Sequence, residues 1–180
     1  LSRESRIHDY LTKAWQLRST GDATSSKSTT DKAYELCRSD DNEFLGRIFH
    51  IYRQLEADTD NYDEALAHNI QSLTYYKASG NIDRIAHSMR HLADLQAQLK
   101  NYKEATKNYT SAIQLYEDNS NTCEKDLSNA LISYAELLDL IGKKKETINQ
   151  WTKALDLYQK IGFKEGMKLA EHKLTQLLKS

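Results

Sequence analysis

The feature that most constrains this chain is its likeness to itself at an interval of about forty residues. Shifted by 40, Met89, Leu92, Leu95, Tyr102, Ala105, Ala112 and Leu115 fall on Phe49, Tyr52, Leu55, Tyr62, Ala65, Ser72 and Tyr75. Shifted by 42 the other way, they fall on Leu131, Tyr134, Leu137, Lys144, Thr147, Ala154 and Leu157, with Trp151 in place of Tyr109. Most apolar positions stay apolar, and small ones stay small. A fixed period of this size marks stacked supersecondary units, none of which buries its apolar face alone.

Inside each unit the spacing is helical. Ile85, Met89, Leu92, Leu95 and Leu99 recur at threes and fours, as one face of a helix requires. After Lys100-Asn101 a second set begins, through Tyr102, Ala105, Tyr109, Ala112, Ile113 and Tyr116. Two amphipathic helices joined by so few residues fold back antiparallel. The absence of proline and the six glycines leave few forced breaks. A weaker copy near the start has Tyr10, Ala14 and Leu17 before Gly21-Asp22, then Thr30, Ala33 and Leu36. Its "SSKSTT" at 25–30 reads as polar and weakly helical, a second helix that frays. At the other end Met167, Leu174 and Leu177 match a first helix only, and Lys164, Lys168, Lys173 and Lys179 suit a solvating cap. The expectation is one all-α repeat domain over 1–180, with units at 3–39, 41–78, 81–118 and 122–160 and a capping helix at 163–179.

Several function classes are disfavoured. A net charge of −1 offers no global field for nucleic acid or an anionic membrane. Residues 141–180 do carry nine Lys against four acids, which reads as a solvated helix face. No apolar run approaches the ~18 residues of a membrane span, and no signal-peptide pattern is evident. Cys37 and Cys123 stand far apart, which suggests reduced thiols and a cytoplasmic setting. There is no GxSxG, P-loop, dinucleotide fingerprint or CxxC, so neither enzyme activity nor a cofactor is expected. "DTDNYDEALAHN" from Asp58 echoes a calcium loop but has Asp63 where the sixth-position Gly belongs and Asn69 at the twelfth. It reads instead as a helix start capped by Asp60 or Asn61, with Asp63 and Glu64 near the positive end of the macrodipole.

The turn-Asn followed by Tyr102, Ala105, Tyr109 and Ala112, with Leu92-Ala93 before it, resembles the tetratricopeptide repeat. The period is longer than the usual unit of about 34 residues, as in kinesin light chains and the Pins/LGN adaptors. HEAT and armadillo repeats share the period but not this turn-Tyr-x-x-Ala signature. The resemblance implies a right-handed α-solenoid whose first helices line a concave groove that holds a peptide or helix of a partner. Carried over by position, the groove residues are Arg47, His50, Gln54, His87, Arg90, His91, Asp94, Asn129, Ser133 and Glu136, flanked by His8, Leu11, Thr12 and Trp15 and by Leu169, His172, Lys173 and Gln176. Five of the six histidines fall on this face.

Such a groove would suit an acidic or carboxylate-bearing peptide. Its imidazoles would either titrate near the ordinary pKa of ~6.5 or serve as half-polar lining with no titrating role. The carboxylate clamp of chaperone-binding members needs Lys, Asn, Asn, Lys and Arg; here His50, Gln54, His91, Asn129 and Ser133 stand in those places. His87 and His91, four apart with His50 on the neighbouring unit and Asp94 nearby, have a spacing that can grip zinc. Without an HExxH glutamate or a Cys, no metal is expected. The resemblance implies a protein–protein interaction scaffold, or alternatively the peptide-sensing part of a larger transcriptional or signalling protein. A monomer is expected, with a homodimer through a terminal unit as the alternative.

Overall fold

The computed structural model describes residues 2–179, and every regular element among them is helical. In chain order these are α1 (Arg3–Ser19), α2 (Ala23–Leu36), α3 (Asn42–Ala57), α4 (Tyr62–Ser79), α5 (Ile82–Gln98), α6 (Tyr102–Asp118), α7 (Glu124–Leu140), α8 (Lys144–Ile161) and α9 (Lys164–Lys179). Packing is most extensive within α1–α2, α3–α4, α5–α6 and α7–α8, and then between successive pairs; α9 lies on α8. Sequence neighbours are thus spatial neighbours throughout, as a stacked array requires. No helix among the described residues is long and apolar enough to cross a membrane.

The hairpin turns share one backbone device. Gly21, Asp60, Lys100 and Gly142 all adopt positive φ, at 86°, 59°, 61° and 77°. The next residue's N–H then reaches back across the helix end: Asp22 to Leu17 O (2.9 Å), Asn61 to Glu56 O (3.0 Å), Asn101 to Gln96 O (2.7 Å) and Lys143 to Leu138 O (2.8 Å). This is the six-to-one bond of the Schellman motif, which satisfies carbonyls the helix leaves open. Asn61 holds the N-cap of α4, yet its side chain donates to Glu56 Oε2 (2.7 Å) instead of capping. The turn is therefore set by the backbone bond rather than by an Asn cap.

Small residues sit where helices cross. Ala65, Ala105, Ala112 and Ala154 have no exposed surface, and neither do Ser26, Ser72 and Thr147. A hydroxyl at such a crossing needs an acceptor. Ser72 Oγ donates to Gly46 O on α3 at 2.8 Å, and Ser26 Oγ to Ala14 O on α1 at 2.7 Å. This corrects the expectation of a frayed α2. "SSKSTT" lies inside a continuous helix because Ser26, Thr29 and Thr30 are buried and the hydroxyls of Ser26 and Thr30 bond backbone carbonyls. Close approach also needs Gly46, whose α-carbon faces the ring of the buried Tyr76. Between units, the buried Asn69 of α4 donates to Ser88 O of α5 at 3.0 Å.

Candidate functional site

First helices α1, α3 and α5 bring their facing side chains to one cleft of about 500 Å³. Arg47, His50 and Gln54 line it from α3, and His87 and His91 from α5. Leu11, Thr12 and Trp15 of α1 form a further wall, with Trp15 55 % exposed. Helical spacing explains the set: 47, 50 and 54 share one face of α3, and 87 and 91 one face of α5.

The three imidazoles pack against one another. Ring centroids lie 4.6 Å apart for His87–His91, 5.1 Å for His50–His87 and 5.4 Å for His50–His91. His91 Nδ1 lies 3.1 Å from Asp94 Oδ2, and Tyr109 of α6 donates its hydroxyl to Asp94 Oδ1 at 2.6 Å. A carboxylate can only accept, so the His91 proton sits on Nδ1. Arg90 reaches the same group, with Nη1 3.3 Å from Asp94 Oδ2 and Nη2 3.0 Å from His91 Nε2. Beneath His50 lies Arg53, only 7 % exposed, with Nη2 3.4 Å from His50 Nε2. Arg53 Nε, Arg90 Nε and Gln54 Oε1 are buried without a hydrogen-bond partner among the described residues.

Burial and neighbouring charge work together here. Burial first, then Arg53, hold His50 and His91 well below the ordinary imidazole range. Burial and then Arg90 push His87 down to about 3. Burial also lowers Arg53, to about 10. A cluster this desolvated and this close to guanidinium charge stays neutral at pH ~6.5, where ordinary imidazole titrates, so proton gating there is not supported at these three histidines.

The remaining sequence-derived residues fall elsewhere. Asp94, Ser133 and Glu136 line a second recess of about 300 Å³ with Tyr109 and Leu140. Glu136 is exposed, and partial desolvation raises its pKa. Arg90 lines neither recess but supports His91 and Asp94 from behind, and Asn129 also lines neither. His8 and His172 are exposed and lie outside the imidazole cluster, though His8 Nδ1 sits 3.3 Å from Arg47 Nη1.

Three contributors escape a reading of first-helix faces. Arg84 lines the cleft one turn before His87, a position its helical spacing from 87 and 91 would have revealed. Arg53 is buried under the imidazoles, and Tyr109, on a second helix, positions Asp94. No single-helix periodicity signals Tyr109, which reaches across a helix boundary to Asp94, whereas Arg53 stands one turn after His50 on the same helix and is distinguished only by its burial.

Residues 54–118 match the family model of the tetratricopeptide repeat. No curated protein matches the sequence. Among solved structures, aspartyl phosphate phosphatase F from Bacillus subtilis superposes with a TM-score of 0.85 at 15% identity. That match covers 95% of this chain and 45% of the phosphatase chain, so this chain spans less than half of that protein's length. A putative kinesin light chain from Podospora anserina, with nearly identical tetratricopeptide-like repeats, gives 0.76 at 11% identity, covering 97% of this chain and 86% of that one. The apo form of RapI gives 0.79 at 19% identity over 97% of this chain and 66% of RapI. At these identities the likeness is one of fold.

Proposed function

We propose that this all-helical array, which the tetratricopeptide-repeat model matches over residues 54–118, is an interaction scaffold whose α1–α3–α5 cleft holds a peptide or helix of a partner protein. The observation that carries the proposal is the composition of the cleft: Arg47 and Arg84 at its surface, three neutral imidazoles on its floor and Trp15 on its wall. That pairing of charge and aromatic surface suits an acidic peptide. The guanidiniums supply charge-assisted donors for carboxylates, the indole an apolar anchor. The second recess, with Asp94 and Glu136, has the opposite sign and would take the less acidic end of the same segment. On this reading the protein is not an enzyme, acts as a monomer in the cytoplasm and uses 1–180 as one domain.

A second reading, the peptide-sensing part of a larger regulator, draws on one observation. The array superposes on less than half of the phosphatase chain.

A random-peptide library selected on the immobilised protein tests the main reading. Acidic sequences should be enriched, and Arg47→Glu with Arg84→Glu should abolish their capture while circular dichroism still reads a folded array, the loss of the exposed Arg84–Glu43 pair at 3.6 Å lowering the thermal transition only slightly. Enriched peptides indifferent to that charge reversal would refute the assignment of the cleft.

A further inference from the structure

The sequence alone argues against a metal at His87 and His91, because no HExxH glutamate and no Cys accompany them. The fold adds a third imidazole. His50 of α3 joins the pair, and one ring nitrogen from each histidine lies within 4.8 Å of the other two. Nε2 of His87 and Nε2 of His91 face each other at 3.2 Å. Nitrogens bound to one tetrahedral ion at ~2.05 Å stand about 3.3 Å apart, so this pair already has the spacing of shared ligands. The centroid separations of 4.6, 5.1 and 5.4 Å bracket the value of about 5 Å that three imidazoles converging on one ion would show.

The surrounding shell also fits. Asp94 accepts from His91 Nδ1 at 3.1 Å and so leaves the Nε2 lone pair directed into the cluster. Tyr109 in turn fixes that carboxylate at 2.6 Å. A carboxylate behind a ligating imidazole orients the ring and raises its basicity.

We propose that His50, His87 and His91 form a three-imidazole site for a divalent transition ion of the zinc class, with its fourth position open to the cleft. The two guanidiniums determine which ions it accepts. Arg90 Nη2 now donates to His91 Nε2 at 3.0 Å, so binding requires it to turn onto Asp94, already 3.3 Å from its Nη1. Arg53, 3.4 Å from His50 Nε2, opposes a bare dication and favours an ion whose fourth ligand is an anion. The site thus takes a metal together with a negative ligand.

The test uses the 180-residue protein free of any histidine tag, titrated with Co²⁺ and then Zn²⁺ in a non-chelating chloride buffer. Visible bands of four-coordinate Co²⁺ should saturate at one equivalent and be displaced by Zn²⁺. His50→Gln, His87→Gln and His91→Gln should each weaken Co²⁺ binding at least tenfold, and Asp94→Asn by about 10–100-fold with the band shape kept. Arg90→Gln should tighten binding, and His68→Gln, outside the cluster, should leave it unchanged. X-ray absorption at the zinc edge of the wild-type protein guards against variants that fail to fold, and should count three imidazole nitrogens at ~2.0 Å. Fewer than three, no saturable Co²⁺ band, or a band that survives the triple substitution would overturn the proposal.

Discussion

Replacing Gly46 with Ala tests how closely α3 and α4 are packed. A Cβ built on Gly46 would stand 2.5 Å from two carbons of the Tyr76 ring, against the 3.5–4.0 Å of ordinary carbon contact. The ring is only 1 % exposed, and relieving the clash by helix movement alone would take a separation of about 1 Å. That shift also stretches the 2.8 Å bond from Ser72 Oγ to Gly46 O. Overpacking costs ~1–3 kcal/mol and the lost bond about 1 kcal/mol, while Ala gains roughly 1 kcal/mol over Gly in a helix interior. The net expectation is destabilisation by about 1–3 kcal/mol, or a drop in Tm of roughly 2–10 °C for a chain of this size. Urea denaturation followed by far-UV circular dichroism measures it. The same change in a Tyr76→Ala background should become neutral or stabilising, because only the helix preference remains. A Gly46→Ala protein at least as stable as wild type, with no coupling to Tyr76, would refute the claim that this crossing depends on the missing Cβ.

Other perturbations address the core, the turns and the cleft. Ala105→Arg puts a charge at a position with no exposed surface and should abolish cooperative unfolding; a wild-type melt would show that the helix register is wrong. Lys100→Gly relieves a positive φ of 61° and should stabilise by about 0.5 kcal/mol after the entropy glycine adds to the unfolded chain, and a loss of stability would count against the turn assignment. Acidification should destabilise the metal-free protein. His50, His87 and His91 face Arg53, Arg84, Arg90 and Asp94 and have folded pKa values below the unfolded value, so their contribution is complete above pH ~6.5. It is lost as pH falls, toward about 3 for His87, with an upper slope of ~1.4 kcal/mol per pH unit per histidine. Denaturation at about pH 7.5 and pH 5 checks this, and the triple Gln variant should flatten the dependence.

The sequence made the array legible because stacking depends on a few small and aromatic positions that must recur. Ala105, Ala112 and Tyr109 could be found by shifting the chain on itself, and the first-helix faces followed from them. The imidazole cluster was half visible: the spacing of His87 and His91 showed a shared face, and the repeat offset suggested His50 beside it. What stayed hidden depends on reach between elements. A fully buried serine such as Ser26 reads as polar until its carbonyl partner is known, so α2 looked weak. Arg53 reads as a solvated charge until its burial beneath His50 is seen. Tyr109 reads as a spacer, although its hydroxyl holds the carboxylate behind His91.

The hairpin turns described above have a further consequence, for how such chains diverge. The reversal between helices is fixed by a main-chain N–H, a carbonyl five places back and one left-handed residue, which here is Gly, Asp or Lys. None of these needs a particular side chain on the first helix. The bend of each unit is therefore decoupled from the chemistry it displays, and the groove can be rewritten one residue at a time without altering the backbone path. That separation gives a physical reason why the array superposes on the solved structures described above at identities of 11 to 19%. In proteins built this way, shared shape says little about shared ligand, and the first-helix side chains alone distinguish one relative from another.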